Sequence, residues 1–458
     1  MNKVILGGAS LLALAMAVPA LAQVNNTSIV TQSGSTQDAE VVQSGLGNTS
    51  TVEQSNANND AEVTQSSTGS TSNVTQSGNG DRALVNQAAA VSTSRVTQSG
   101  TSGYVEVAQV GDDQDSTVTQ SGNNNDANVF QAATGNMSTV TQSGSSQIAD
   151  VDQTGAGNTS TLTQSTNNYT ANIIQSGDVN TATTTQLDAG VFGNTGSTVN
   201  TTQAGNGNTA TVNQRSINST SNITQMLGAD GNTATVTQGA VSRRQTSNIT
   251  QSGDFNTITV QQGVNGSGPT DDDNLSNVTQ SGNGNVGTVR QYLRNGTSTL
   301  TQSGSGNTAT TEQGITGVGS GFGPFTATVI QSGSGNTSDV FQRSIASTVY
   351  VEQIGAGNTS SVTQQFYNSG TNANSGNSAT VMQYGDLGDS EITQSGNDHI
   401  ATLDQYGDLN DSFITQTGAT NRANVTQDSF ENLSRITQGG SGNVATVNQN
   451  APPPPPAP

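Results

Sequence analysis

The chain has no cysteine and no tryptophan, and only 3% of its 458 residues are aromatic. Without cysteine there is no disulfide framework and no thiolate chemistry. Basic residues are also scarce, 11 Lys+Arg against 32 Asp+Glu, which leaves a net charge of −21. A surface of that sign repels phosphates, so no nucleic-acid partner is expected. Hydrophobic residues make up 29%. That is too little to fill ordinary cores at native packing density, although the length alone would suggest about three domains. Composition by itself predicts disorder, a conclusion that only periodicity can overturn.

One apolar run is present. Lys3 precedes the mostly apolar stretch Val4 to Val18, and Ala20-Leu21-Ala22 forms a small-x-small cleavage site. Residues 1–22 therefore read as a secretory signal peptide, with the mature chain starting at Gln23. A membrane anchor is the competing reading, but the run is short and polar residues follow at once. No other segment could span a bilayer, so no transmembrane segment is expected after cleavage.

What the chain does have is a ladder of glutamines. Gln32, Gln43, Gln54, Gln65, Gln76, Gln87, Gln98, Gln109 and Gln120 stand 11 apart, and the series runs through Gln142, Gln164, Gln302, Gln313 and Gln438 to Gln449. Of 35 intervals between the 36 ladder glutamines, 29 are 11 residues long, which chance cannot produce. The six exceptions end at Gln203, Gln238, Gln251, Gln280, Gln331 and Gln383. Each unit reads as a seven-residue strand and a four-residue turn. In Asn208-Thr-Ala210-Thr-Val212-Asn-Gln214 the period of 2 puts Asn208, Ala210, Val212 and Gln214 on one face. Asn48, Asn307 and Asn443 open equivalent units. Turns such as Ser44-Gly45-Leu46-Gly47, Ser303-Gly304-Ser305-Gly306 and Gly439-Gly440-Ser441-Gly442 place glycine where the chain reverses.

Four residues before the ladder glutamine, Ser28, Ala39, Ser50, Ala61, Ser72 and Ala83 alternate, so the full repeat is 22 residues, two strands and two turns. The expected fold is all-β, a β-solenoid of about 18 two-strand rungs over 23–450 with a thin, amyloid-like two-sheet core. The alternation slips between Gln175 and Gln225 and again between Gln313 and Gln342, beside long insertions. Rungs stacked about 4.8 Å apart pair every backbone amide with the level above and below. They also align identical side chains, so each inward Gln or Asn amide is expected to bond its own counterpart one rung away. A buried amide without a partner costs about 1–3 kcal/mol, and an in-register repeat removes that cost.

Two stretches carry a resemblance. Ser298-Thr-Leu-Thr-Gln302-Ser-Gly304-Ser-Gly306-Asn307-Thr-Ala309-Thr-Thr-Glu-Gln313 and Ser434-Arg-Ile-Thr-Gln438-Gly-Gly440-Ser-Gly442-Asn443-Val-Ala445-Thr-Val-Asn-Gln449 resemble the curlin repeat, that of the curli fibre subunits. The clearest serine lies four before the first glutamine, where the family has it six before. The resemblance implies a secreted functional amyloid: a homopolymeric fibre (fimbrium) of the biofilm matrix that mediates cell adhesion. It implies export through an outer-membrane secretion pore and contact with a curli nucleator subunit. Typical curlins have about five repeats and an N-terminal segment that addresses the pore; here little precedes the first strand.

No residue set points to catalysis, a metal or a cofactor. His399 is the sole histidine and occupies a position usually held by inward Asn, so it reads as a ladder substitution. Asp271-Asp272-Asp273 reads as a solvated insertion loop. Gly-x-Gly recurs without following helices and, in most turns, without the Asp of calcium-binding rolls. Outward pairs such as Thr117/Thr119, Thr209/Thr211 and Thr233/Thr235/Thr237 leave a monomeric surface adhesin or an ice-binding solenoid as the alternative, although Glu53, Asp150, Asp152, Arg290 and Glu312 interrupt them. The tail Pro452 to Pro456 favours polyproline II.

A net charge of −21 spread over roughly 85 Å puts charges closer together than the ~8 Å screening length. Outward acids then delay association. Fibre growth followed by dye fluorescence should accelerate with added salt and near pH 4, and lag times that ignore both would contradict this.

Overall fold

A computed structural model describes residues 25–187, 196–239, 242–263, 270–271, 273–292, 294–314, 324–365 and 376–450. The expected signal peptide, the proline tail and Asp272 lie outside the described residues. Among the described residues the chain forms 38 strands and no helix. It divides into two compact units, 1–218 with 223–230, and 219–222 with 231–458.

Each unit is a β-solenoid. Apart from the two-residue strands Ser242–Arg243 and Thr270–Asp271, which pair with each other, successive strands alternate between two sheets, and each pairs in parallel with the next strand of its own sheet. In the first unit Thr27–Gln32, Thr49–Gln54 and Thr71–Gln76 belong to one sheet, and Asp38–Gln43, Asp60–Gln65 and Arg82–Gln87 to the other. In the second unit Thr233–Gln238 pairs with Thr257–Gln262, and Thr246–Gln251 with Leu275–Asn283. The register is residue for residue: Val140 lies opposite Leu162, and Gln142 opposite Gln164. A one-residue slip would turn every inward residue outward, so the alternation itself locks this register.

Most strands are six residues long, such as Thr209–Gln214, one shorter than expected. The buried face runs one residue further back, because Asn208 is fully buried with Ala210, Val212 and Gln214. Asn208 sits before the strand since its side chain serves the turn. The core is thin: an aliphatic column (Val52, Val63, Leu162, Ile173) lies two before the glutamine, and a small-residue column lies four before it.

The irregular intervals do not break the stack inside either unit. Gln175 bonds Gln203 across 28 residues and Gln353 bonds Gln383 across 30, both at 2.8 Å. The strands on either side of these insertions keep their register. Two insertions pair with each other, Ser242–Arg243 beside Thr270–Asp271. The slips have a structural counterpart: strand order stays strict, and the sheets exchange residue type. Ser160 pairs with Ala182 in one unit, and Ala309 with Ser338 in the other. At these exchanges Thr184, Thr201 and Thr311 replace the aliphatic residue two before the glutamine, and all three are buried. The core hydroxyl thus moves by two positions, so the exchange rungs keep one.

The two turn glycines have different reasons. Gly304 has φ +92, and a Cβ on it would lie 2.0 Å from the Gly333 carbonyl oxygen of the next rung. Gly306 has φ +65 with open space around it. Gly45 and Gly47, like Gly440 and Gly442, also have positive φ. Gly304→Ala should therefore cost more than about 2 kcal/mol and Gly306→Ala about 1 kcal/mol, read as loss of amide protection in the flanking strands. Equal costs would refute the close-approach argument.

Candidate functional site

The candidate site is the set of side-chain ladders and the strands that end them. Most ladder glutamines close a strand, and others such as Gln280, Gln302 and Gln331 lie inside a longer one; in both the period of 2 turns them inward. Gln32, Gln54, Gln76, Gln98, Gln120, Gln142 and Gln164 form one column. In each, Nε2 donates to Oε1 of the glutamine one rung on, at 2.7 to 3.0 Å. Gln43, Gln65, Gln87 and Gln109 form the column of the facing sheet. Gln302 donates to Gln331, Gln313 to Gln342, Gln416 to Gln438 and Gln427 to Gln449. The second Nε2 proton reaches the opposite sheet: Gln54 donates to the Asp38 carbonyl and Gln142 to that of Asp126, at 2.8 and 2.9 Å. One amide therefore ties rung to rung and sheet to sheet.

The asparagines behave otherwise. An amide-to-amide ladder was expected, but Oδ1 of Asn48 accepts the backbone N–H of Ser70, and its Nδ2 donates to the carbonyls of Ser44 and Ser67. Asn307 repeats this with Ser303 and Gly333, and its own N–H donates to Asn285 Oδ1. The shorter side chain stays at the turn and clamps backbone. Asn443 keeps one amide contact, to Asn421 Oδ1 at 3.0 Å. Amide ladders that the inward pattern does not signal occur on the outer face, where Asn222 donates to Asn248 and Asn248 to Asn277, each at 2.8 Å.

The two outer faces of the first unit differ. Thr117, Thr139, Thr161 and Thr183 align in one column, and Thr119, Thr141, Thr163 and Thr185 in the next. Asp150 and Asp152, which interrupt the threonine pattern in linear sequence, belong to the opposite sheet. There burial pushes the carboxyls of Asp126, Asp150 and Asp152 above the usual range, and the Asp150 charge adds to the shift at Asp126 and Asp152. Carboxyls raised in this way bind protons on folding, so acidification from neutral pH favours the folded form until the unfolded carboxyls also protonate. Asp273 is held below the usual range by its bond to Arg244.

The terminal strands each pair on one side only among the described residues: Thr27–Gln32 with Thr49–Gln54, and Val444–Gln449 with Arg422–Gln427. Ladder polarity distinguishes the two ends. Gln32 and Gln43 donate to the next rung and accept no bond at Oε1 among the described residues, whereas Gln438 and Gln449 donate only to the carbonyls of Arg422 and Leu433. Acceptors are left over at the first rung of the first unit and donors at the last rung of the second.

The family described as curlin associated repeat matches residues 122–155, 389–418 and 396–428. These stretches carry the curlin associated repeat. The matched stretches take in strands of both solenoid units, and the ladder bonds continue unchanged beyond them. No curated protein matches the chain. Among the described residues no helix is long and apolar enough to cross a membrane.

Gln142→Leu would strip the bond accepted from Gln120 and those donated to Gln164 and Asp126. Local opening of 115–164 should become easier by about 2–4 kcal/mol, measured by amide exchange. Gln32→Leu, at a half-buried end position, should cost less than about 1 kcal/mol. Equal effects would mean that the ladder adds nothing beyond side-chain volume.

Proposed function

We propose that this chain is a secreted structural subunit that assembles into curli-type amyloid fibres of the extracellular biofilm matrix and mediates adhesion. The observation that carries this reading is the polarity of the ends. The Oε1 atoms of Gln32 and Gln43 match the Nε2–H groups of Gln438 and Gln449, so the first rung of one copy complements the last rung of another. A head-to-tail interface that does not close into a ring generates an open filament, as this reading requires. The single-sided pairing of the end strands supplies backbone donors and acceptors for the same step.

In this reading residues 1–22 direct export and are removed, 23–450 form the solenoid that polymerises, and the proline tail 451–458 lies beyond the last strand. The partners are further copies of the chain, a nucleator subunit and an outer-membrane pore. The location is the cell surface. The curlin repeat and the in-register parallel sheets support a structural role.

A second reading rests on the threonine face, where four consecutive rungs carry Thr-x-Thr on one sheet while the facing sheet over the same span carries Asn, Asp, Phe and Ile. Strand propensity alone acts on both sheets alike. A flat hydroxyl array suits ordered water, and an ice-binding solenoid would use it as a monomer.

Electron microscopy of residues 23–458 after removal of denaturant, with and without seeds, tests the first reading. The expected result is unbranched fibres, seed-dependent growth and reflections at ~4.8 and ~10 Å. A soluble, monodisperse solenoid that shows thermal hysteresis would replace it with the second.

A further inference from the structure

Asparagine is the commonest residue six before the ladder glutamine, and in several rungs it fits a slot shaped for an amide. In Asn59, Asn125 and Asn421, Oδ1 accepts the backbone N–H of the residue one rung on or its equivalent there, as in the bond from Asp81 N to Asn59 Oδ1 at 3.0 Å. Nδ2 donates to two carbonyls, one four residues back and one in the next turn. For Asn59 these are Ser55 and Gly78 at 2.8 and 3.0 Å, and for Asn421 they are Thr417 and Gly440 at 2.9 and 3.1 Å. The slot thus needs one acceptor and one donor. Asp81 in the first unit and His399 in the second occupy it with an acid and an imidazole, and both side chains are fully buried.

Asp81 satisfies half of the requirement. Its Oδ1 accepts the Gly103 N–H at 2.9 Å, whereas Oδ2 has no hydrogen-bond partner. The Cβ position built on Gly78 lies 2.2 Å from Oδ2 and 2.0 Å from the Gly100 carbonyl oxygen, the counterpart of the Gly78 carbonyl to which Asn59 Nδ2 donates. Two oxygen lone pairs attract only with a proton between them. The side chains and backbone that contact Asp81, from Asn59, Gln76 and Gly103, carry no charge, and the nearby Arg82 is paired on the surface with Asp60 at 3.3 Å. Burial pushes this carboxyl up, opposed by the Gly103 bond. A bound metal cation is the other way to join oxygens, but Ca²⁺ needs six to eight oxygen ligands, and this slot also presents backbone N–H.

His399 satisfies both halves as a neutral ring. Nδ1 accepts the Asn421 N–H at 3.3 Å and Nε2 faces the Ser395 carbonyl at 3.4 Å, which assigns the Nε2–H tautomer. A proton on Nδ1 would face the Asn421 N–H. Asp398 is the charged neighbour and favours the cation, but burial outweighs it and holds the imidazole below its usual range.

We infer that Asp81 and His399 link the closing of their rungs to protons in opposite senses: the Asp81 rung closes on a neutral carboxylic acid, and the His399 rung closes on a neutral imidazole. The stability from Asp81 is then present at low pH and lost as pH rises from 3.8 through the folded-state value. That from His399 is present above 6.5 and lost as pH falls through its folded-state value. Acidification tightens one rung and loosens the other, whether or not the chain forms fibres.

Amide-exchange protection factors of the full chain from pH 4 to 8, corrected for intrinsic exchange, test this. In the wild type, protection over 71–109 should fall by up to about tenfold per pH unit as the medium turns neutral, and protection over 389–427 should fall as steeply below pH 6.5. Asp81→Asn and His399→Asn install the common occupant of the slot, and each should flatten only its own profile. Nitrogen NMR of the single histidine should show the neutral Nε2–H tautomer at pH 6. Profiles unchanged by the substitutions, or an Nδ1–H tautomer, would overturn the inference. So would protection at pH 7 restored by sodium or calcium chloride but not choline chloride at matched ionic strength, in the wild type and not in Asp81→Asn.

Discussion

A glutamine amide bridging to its counterpart one rung away is the interaction on which the rest of the structure depends. Rungs of a parallel stack lie about 4.8 Å apart, too far for two hydroxyls to meet directly. An amide presents its donor and acceptor on opposite sides, so the group itself fills part of the gap and one hydrogen bond fills the remainder. The serine columns show the contrast. Ser50, Ser72, Ser94 and Ser116 stack in the same register, and their hydroxyls find no partner. Where a polar side chain must be buried at every level of a thin core, glutamine suits the spacing and serine is tolerated because it is small.

The same interaction explains why a chain poor in apolar residues folds. Val52, Val63 and their equivalents supply little burial per rung. The glutamine adds a bond along the stack and a bond across it, and neither exists until a second rung is in place. Order is therefore cooperative along the stack and absent from an isolated rung. The stacking also gives the ladder a direction, since within each unit the glutamine-to-glutamine bonds described run from Nε2 to the following rung.

A stack of identical positions also fixes what a substitution does. In the clamp column Asn59, Asn125 and Asn421 meet equivalent backbone atoms in their different rungs. On the outer faces the same alignment puts like charges one rung apart, as in Asp38 beside Asp60 and Glu40 beside Glu62. That repulsion opposes stacking wherever both are ionised.

The 11-residue spacing and the period of 2 determined, without coordinates, that the chain is a β-solenoid and which side chains face inward. Regular spacing is a local property, and parallel in-register stacking is the arrangement that gives each inward amide an identical partner. Tertiary structure decided what depends on reach and on neighbours outside the repeat. It made Asn48 and Asn307 clamps of backbone, because a side chain one methylene shorter than glutamine stays at the turn. It put Asp150 and Asp152 on the sheet opposite the Thr117 to Thr185 columns. It resolved the two slips into an exchange of serine and alanine between sheets, with Thr184, Thr201 and Thr311 at the crossings. It also separated Gly304, hemmed in by the next rung, from Gly306, which needs only its backbone angle; in sequence both are glycines of one turn, and only the approach of a neighbouring chain segment tells them apart.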